Sequence, residues 1–223
     1  MEGVQQRWSE AVVVGTAIYV LIDVALVFLR PQFSVLHNAE SDYGSAGRWG
    51  WVMDVNFLLR ALIGLTLIGA LSLAASRSGT LTVALGLLAL WAVGSGLLAF
   101  FPDDPAGTPL RTSGRIHLAL AAVAFGAMIA ASFVTLRALR RDARFDPVRM
   151  RLRVLAWAGV VAILLVGKAG FHHHSLGGLW EKIFLACELG WAVVLSLKLR
   201  ELDGPLVDSD RSDAPGSLHE GSG

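Results

Sequence analysis

The chain has 223 residues, of which 54% are hydrophobic and only 17% are charged. Soluble domains carry about 25% charged residues, so this composition excludes an ordinary soluble protein and predicts a membrane protein. The formal net charge is +1, and no basic cluster is interleaved with aromatic residues as binding of single-stranded nucleic acid would require. We therefore expect no nucleic-acid partner.

Six long apolar stretches follow one another along the chain. Each is close to the ~20 residues that a helix needs to cross ~30 Å of hydrocarbon. In chain order they run Ala11–Leu29, Val52–Leu73, Leu81–Phe101, Ile116–Leu136, Val154–Phe171 and Leu179–Leu197. They predict an all-α polytopic membrane protein, a bundle of six transmembrane helices.

The distribution of Lys and Arg between the loops predicts the orientation of these helices. If the helices alternate, eleven basic residues fall on the side of the two termini and six on the other side. The largest group lies between the fourth and fifth stretches, from Arg137 to Arg153. Because cytoplasmic loops carry the excess of basic residues, both termini are predicted to be cytoplasmic and the opposite loops to face outward.

The composition divides the chain into a membrane domain and a short tail. Residues 1–201 are predicted to form the six-helix transmembrane domain. Residues 202–223 are rich in Asp, Ser and Gly, and such a segment buries too little apolar surface to fold, so we expect a disordered polar cytoplasmic tail. The single cysteine, Cys187, excludes an internal disulfide and is interpreted as a small buried residue.

Almost every unusual polar residue lies at the outward end of the stretches, and three of them lie deeper. At ~1.5 Å of rise per residue, Arg60 and Glu188 lie roughly 12–13 Å below the outer boundary and Asp23 roughly 9 Å. A charge facing lipid at such depths costs at least ~2.5–3.5 kcal/mol. We therefore expect Arg60, Glu188 and Asp23 to form a cluster, with Asp54 nearer the mouth. The cluster is either part of a ligand site or a purely structural ion pair.

A regular spacing of glycines relates three of the polar positions. Gly50, Gly114 and Gly178 are 64 residues apart, and Asp54, His117 and Glu181 follow them by four, three and three positions. The spacing either reflects three helical hairpins that each deliver one ionisable side chain to the same depth, or it is accidental.

Histidines and carboxylates at the outward end are also candidates for a metal site. The candidate ligands are His117, Asp103 and members of the His172–His174 run, namely His172 and His174. Zinc binds imidazole nitrogen and carboxylate oxygen and leaves one position for water, whose pKa it lowers to about 7. Adjacent histidines point in different directions, and no H-E-x-x-H or C-x-x-C spacing occurs. Zinc is therefore a candidate cofactor, and the cofactor is otherwise unknown.

Five short motifs occur in a characteristic order. They are Ser41-Asp42-Tyr43-Gly44, Gly50-Trp51-Val52-Met53-Asp54-Val55-Asn56-Phe57, Phe101-Pro102-Asp103-Asp104-Pro105, Gly114-Arg115-Ile116-His117 and Gly178-Leu179-Trp180-Glu181-Lys182. Over about residues 10 to 200 the set resembles the prokaryotic membrane family catalogued as domain of unknown function 998. The resemblance implies a six-helix protein of the prokaryotic plasma (inner) membrane whose activity is not established. By the same resemblance, the first site positions to consider are Asp42, Asp54, Asp103, His117 and Glu181.

A looser likeness, of site chemistry only, is to ceramidase-like membrane hydrolases, which place Ser, Asp and His residues around zinc at one membrane face. This chain has the same residue types at one face but six apolar stretches rather than seven and no H-x-x-x-H pair. A likeness of this kind does not by itself carry function.

Three functions of different classes follow from these observations. The favoured one is binding of a small polar ligand or a lipid head group in an outward-facing polar vestibule, and membrane lipids are the expected partners. Its candidate residues are Asp23, Asp42, Asp54, Arg60, His117 and Glu181. The second is a zinc-dependent membrane hydrolase of a lipid or lipid-linked substrate, with Asp54 or Glu188 as general base. The third is a structural or assembly subunit, so the residues leave open whether the protein is an enzyme.

Overall fold

The computed structural model describes residues 3–104, 107–172 and 174–202. These residues form six α-helices: α1 (Val4–Leu29), α2 (Gly50–Ala74), α3 (Gly79–Leu98), α4 (Thr112–Ala138), α5 (Asp146–Ala169) and α6 (Gly177–Leu202). Two short 3-10 helices lie at Glu40–Gly44 and Ala143–Phe145. None of the described residues lies in a β-strand, so the all-α prediction is confirmed. The predicted tail, beyond residue 202, lies outside the described residues.

The start of α5 differs most from the sequence prediction. The helix begins at Asp146 rather than Val154, so its first turns include arginines that we expected in a loop. Pro147 lies in the first turn, where its fixed φ suits a helix and its missing N–H is not needed. Arg149 also pairs with Asp146 one turn away, at 2.5 Å. An apolar stretch therefore marks only the part of this helix that suits hydrocarbon.

The chain is an integral membrane protein. Five of its helices, α1 to α5, are long and apolar enough to cross a bilayer. Large apolar side chains such as Phe28 (78% exposed) and Leu21 (68% exposed) project from α1, as expected of a lipid-facing surface. α6 is also long but carries Glu181, Lys182 and Glu188, and its crossing as a sixth span stays a prediction.

The six helices form a ring in chain order. Each helix packs against the next, and α6 packs back against α1. The side-chain amide of Gln5 closes the ring by donating to the carbonyl of Leu199 at 2.6 Å, so the two ends of the described chain lie together. The indoles of Trp91 and Trp191 fill the interior. α4 and α5 pack together much less closely than the other sequential neighbours, which leaves a loose seam in the ring.

The two ends of the ring differ chemically. At one end, which we call the polar end, α1, α3 and α5 finish and α2, α4 and α6 begin. The other end holds the connection between α4 and α5, where the Arg144 guanidinium donates to the carbonyl of Ala74 at 3.2 Å. The carboxyl groups and histidines singled out in the sequence lie mostly at the polar end.

Candidate functional site

The loop between α1 and α2, residues 30–49, folds over the polar end, and we call it the cap. Its 3-10 helix, Glu40–Gly44, is largely buried. Arg30 is 4% exposed, and its guanidinium donates to the carbonyls of Tyr43 at 2.8 Å and Ser45 at 2.6 Å. Because a buried charge has to be hydrogen-bonded, Arg30 fixes the far end of the cap to its beginning.

Three hydrogen bonds tie the cap to the surrounding elements. The Tyr19 hydroxyl on α1 donates to the carboxylate of Glu40. The backbone N–H of Glu40 donates to Oε2 of Glu181 on α6 at 2.8 Å. The Ser41 hydroxyl donates to Oδ2 of Asp103 at 2.6 Å. The 3-10 helix of the cap therefore joins α1, α6 and the α3–α4 loop.

A second set of contacts seals the cap against the start of α6. Lys182 donates from Nζ to the carbonyl of Asn38 at 3.2 Å, and the backbone N–H of Leu179 donates to the carbonyl of Leu36 at 3.1 Å. Gly178 permits this approach, since a Cβ there would lie 2.3 Å from the carbonyl oxygen of Asn38. Any other residue would displace the cap from α6.

The other two glycines of the 64-residue spacing allow similar close contacts. A Cβ at Gly50 would lie 2.5 Å from the carbonyl oxygen of Ser45, and one at Gly114 would lie 2.4 Å from Oδ2 of Asp104. In each case a loop at the polar end lies directly against the first turn of a helix. The spacing therefore coincides with three places where a loop seats on a helix start.

A cavity of about 700 Å³ lies between the cap and the helices. This volume is in the range of ~300–1,000 Å³ typical of small-molecule sites. The polar part of its wall consists of Glu40, Ser41, Asp42, Arg60, Asp103, Asp104, His117 and Glu181. The apolar part comes mainly from α4 and α5. One space thus joins a charged end to a hydrocarbon-like end.

Arg60 on α2 is a buried cation in the wall of this cavity. Its side chain is 1% exposed, and its Nε donates to the hydroxyl of Ser95 at 3.1 Å. The guanidinium carbon lies 5.5 Å from the ring centroid of Phe57 and 5.8 Å from that of Phe125. Among the described residues, no carboxylate forms an ion pair with it within 4 Å. Its charge is therefore offset by aromatic faces, one hydroxyl and the more distant charges of Glu40, Glu181 and Glu188.

Arg60 interacts electrostatically with both Glu188 and Asp23, but among the described residues neither carboxylate forms an ion pair with it within 4 Å. Glu188 borders a separate cavity of about 20 Å³, and Asp23 is half-buried on α1 and does not line the large cavity. The expected cluster of these three residues therefore stays a prediction. The electron-rich faces of two aromatic rings also attract the guanidinium, which depth alone does not predict.

His117, in the second turn of α4, presents one ring nitrogen to the polar wall. Its Nδ1 lies 2.7 Å from the carbonyl oxygen of Phe101. A carbonyl only accepts, so Nδ1 carries a proton, and Nε2 is an acceptor whenever the ring is neutral. Nε2 lies 3.9 Å from Oδ2 of Asp103. A ligand with a hydrogen-bond donor would find two acceptors side by side here.

The cavity brings together most of the predicted ligand-binding residues. Those that line it are Asp42, Arg60, His117 and Glu181, whereas Asp23 and Asp54 are half-buried elsewhere. Asp54 lies one turn before Phe57 on α2 and interacts electrostatically with His117, although it does not line the cavity. Of the three residues that follow the spaced glycines, His117 and Glu181 therefore line the cavity and Asp54 lies beside it.

A model of a family of proteins of unknown function, DUF998, matches residues 13–198. The chain belongs to the DUF998 family. This confirms the resemblance that the five ordered motifs indicate. No curated protein and no solved structure matches the chain significantly. The description of the family assigns no activity, so the function has to be argued from the site itself.

This DUF998 protein brings together only part of the predicted zinc site. His117 and Asp103 are neighbours, but His172 and His174 have exposed side chains outside the lining of the cavity. His173 lies outside the described residues. The part of the chain that is described contains no group of three or more His, Cys, Asp or Glu residues that could hold a metal ion. Catalytic zinc needs three protein ligands, so these residues do not fit it and we derive no step through zinc.

The phenol of Tyr43 shows the electrostatic character of the cap in this DUF998 protein. It is 1% exposed, and its hydroxyl donates to the carbonyl of Phe33 at 3.2 Å. Burial, followed by the negative charges of Asp23, Asp42 and Glu40, raises the pKa of Tyr43 to about 12. The phenol therefore remains a neutral donor at physiological pH, and it lies among the carboxylates of the cap and α1.

Sequence reasoning missed four residues that build the site. Glu40 and Tyr19 form the hydrogen bond between cap and α1, and Ser95 holds Arg60. Nothing in the apolar pattern distinguishes these positions. Arg30 offered a signal, because a cation directly at the end of an apolar stretch and before Pro31 has to find acceptors in the loop that follows.

Proposed function

We propose that this protein binds a small polar molecule or a lipid head group in the cavity beneath the cap, with an anionic group of the ligand against Arg60. The supporting observation is the surroundings of Arg60, a cation that is 1% exposed, bonded through Nε to Ser95 and without an ion pair among the described residues. A guanidinium has five N–H donors, which match the oxygens of a phosphate or carboxylate in pairs. A ligand that supplies such a group would satisfy them.

The other polar groups in the wall favour a ligand that also carries donors. The acceptors that face the cavity are the carboxylates of Glu40, Asp42, Asp103, Asp104 and Glu181 and the Nε2 nitrogen of His117. Each carboxylate has about four lone-pair sites, so those that already accept one hydrogen bond can accept more. A phosphate ester with ammonium or hydroxyl groups meets both requirements.

The thermal stability of the full-length protein in detergent tests this proposal. We expect glycerophosphoethanolamine, which carries a phosphate and an ammonium group, to raise the melting temperature as RT ln(1 + [L]/Kd) predicts. Ethanolamine, which lacks the phosphate, should not. Arg60→Gln should abolish the response. Arg111→Gln is the matched control, because Arg111 is exposed and its removal takes one positive charge from the polar end without changing the cavity wall.

The outcomes separate binding from a structural role. The proposal is overturned if glycerophosphoethanolamine, glycerophosphoglycerol and inorganic phosphate all leave the melting temperature of the wild type unchanged. A structural or assembly subunit predicts that Arg60→Gln lowers the melting temperature without ligand. A binding role predicts that the melting temperature of Arg60→Gln without ligand is unchanged or higher than that of the wild type. The reason is that the variant removes a buried charge which lowers stability and is retained for function.

A membrane hydrolase of a lipid or lipid-linked substrate is the second candidate, supported by Ser41, Asp103 and His117 on one wall. In a hydrolytic triad the nucleophile bonds to the histidine, whereas here the Ser41 hydroxyl donates to Asp103. Binding therefore has the better support. Release of product from radiolabelled phosphatidylethanolamine, lost in both Ser41→Ala and His117→Gln, would favour the hydrolase.

We also propose the prokaryotic plasma membrane as the location, with six spans and the polar end facing outward. The support is the excess of basic residues at the end that holds the termini, together with the resemblance of the five motifs. The accessibility experiment in the Discussion tests this orientation.

A further inference from the structure

The apolar part of the cavity is a groove along the seam between α4 and α5. On α4 it runs from Leu118 past Phe125 to Ile129, and on α5 it is bordered by Ile163 and Val166. These helices are the sequential neighbours that pack least closely. Leu118 is 48% exposed although it lines the cavity. The groove is therefore open on the side of the bundle, towards the bilayer.

Two glycines keep this groove open. Gly126 on α4 and Gly167 on α5 both line it, and a Cβ at either position would meet no heavy atom within 4 Å. Glycine is unfavourable inside a helix, and neither residue serves a close approach of two backbones. What both residues provide is space between the two helices.

The length of the groove matches one leaflet of a membrane. From Leu118 to Ile129 the helix rises ~16 Å, at ~1.5 Å per residue. Half of the ~30 Å hydrocarbon core is ~15 Å. The groove begins beside His117 at the polar end, and Arg60 reaches it at Phe125, whose ring centroid lies 5.8 Å from the guanidinium carbon. A phosphate at Arg60 would therefore lie deeper than the head groups of the surrounding bilayer, directly beside the apolar part of the groove.

We infer that the ligand is a membrane lipid, with its phosphate against Arg60 and one acyl chain in the groove between α4 and α5. The inference rests on the proposed function and specifies its ligand. Its basis is that a single cavity joins a buried cation to an apolar groove of acyl-chain length that opens sideways. A partner helix, about 10–12 Å across, could not enter a seam whose two helices still touch.

Native mass spectrometry of the full-length protein tests this inference. The protein is titrated with palmitoyl-oleoyl phosphatidylethanolamine, and glycerophosphoethanolamine serves as the head group without chains. In the double variant Gly126→Leu, Gly167→Leu, leucine side chains fill the groove. Gly86→Leu is the matched control, because Gly86 is exposed on α3, does not line the cavity and likewise has no heavy atom within 4 Å of a Cβ.

We expect the wild type and Gly86→Leu to retain the lipid and the double variant to bind it at least about tenfold more weakly. The double variant should keep its melting temperature, since a Cβ at either position meets open space. Its binding of the lipid should fall by a larger factor than its binding of glycerophosphoethanolamine, because only the lipid carries the acyl chains that the groove would hold. Equal lipid binding by the double variant and Gly86→Leu would overturn the acyl-chain groove and leave the head-group site standing. Lipid binding that Arg60→Gln does not change would overturn the proposed function instead.

Discussion

The Ser41 hydroxyl and the Asp103 carboxylate, 62 residues apart in sequence, form a 2.6 Å hydrogen bond that joins the cap to the α3–α4 loop. The same oxygen of Asp103 lies 3.9 Å from Nε2 of His117. The position of the cap and the geometry of the polar wall are therefore coupled through one carboxylate. A change that loosens the cap should also change what the cavity binds.

Ser41→Ala tests this coupling. It removes the only donor shown to reach Oδ2 of Asp103 within the described residues, and hydrogen bonds to charged groups contribute about 1.5–3 kcal/mol. We expect the free energy of unfolding in detergent to fall by about 1–3 kcal/mol and binding of glycerophosphoethanolamine to weaken. Ser76→Ala, at an exposed position, should change neither. An unchanged melting temperature in Ser41→Ala would show that the cap is held without this bond.

Gly178→Ala tests the seal between the cap and α6. A Cβ there would lie 2.3 Å from the backbone oxygen of Asn38, so either the cap or the start of α6 has to move. We expect a loss of stability of about 2 kcal/mol or more, in the range of overpacked sites, and faster tryptic cleavage at Arg48 in the cap. Gly86→Ala has open space and should gain up to about 1 kcal/mol from helix propensity. Equal melting temperatures for the two variants would contradict the close contact.

Glu188→Gln tests whether the buried carboxylate of Glu188 destabilises the folded protein. Glu188 is 4% exposed and forms no ion pair within 4 Å among the described residues, although the charge of Arg60 and the indole of Trp91 both interact with it. Replacing the buried carboxyl group with an amide of the same shape removes the cost of burying a weakly compensated charge, so the free energy of unfolding should rise by about 1 kcal/mol or more. Glu201→Gln, at an exposed end of α6, is the control and should change it little. A loss of stability in Glu188→Gln would show that the interactions with Arg60 and Trp91 outweigh the cost of burial.

Tyr43 makes the stability of the cap sensitive to high pH. Its pKa is raised to about 12 in the folded protein, whereas an exposed tyrosine titrates near pH 10. The folded state thus favours the neutral phenol. The contribution of Tyr43 to the free energy of unfolding is therefore fully present below about pH 10 and is lost as the pH rises through about 12. The melting temperature of wild type relative to Tyr43→Phe should therefore be constant up to about pH 10 and then fall.

Absorbance at 295 nm provides a direct check of the same shift. The chain has two tyrosines, so the difference between wild type and Tyr43→Phe isolates the phenolate of Tyr43. We expect its half-point near pH 12. A half-point near pH 10 would show that the cap leaves the phenol open to water.

The helices were predictable from the sequence because a membrane helix makes its backbone hydrogen bonds within its own segment. A run of about 20 apolar residues is therefore nearly sufficient to predict a transmembrane helix. The start of α5 was not predictable in this way, because residues 146–153 are not apolar. Pro147 in the first turn and the ion pair between Arg149 and Asp146 favour the helix there instead. The order of helices around the ring depends on packing between segments, which no single segment encodes.

The site was predictable only in part, for a related reason. His117 and Glu181 follow glycines at helix starts, so their position along the bundle could be inferred from the sequence. The bond from Glu40 to Glu181 spans 141 residues, and no local pattern reports such a contact. The expectation that Arg60 lies near buried carboxylates also leaves out the faces of Phe57 and Phe125, which lie against the guanidinium.

The orientation of the bundle can be tested with single cysteines. Cys187 is the only cysteine in the chain, so Cys187→Ala gives a background without thiols. His174 and Arg140 are exposed at opposite ends of the bundle, and a membrane-impermeant maleimide added to intact cells should label His174→Cys but not Arg140→Cys. The reason is that the arginine-rich end should be cytoplasmic, which places the cap and the cavity outside. Labelling of Arg140→Cys alone would show that the bundle has the opposite orientation. A lipid in the groove would then come from the cytoplasmic leaflet.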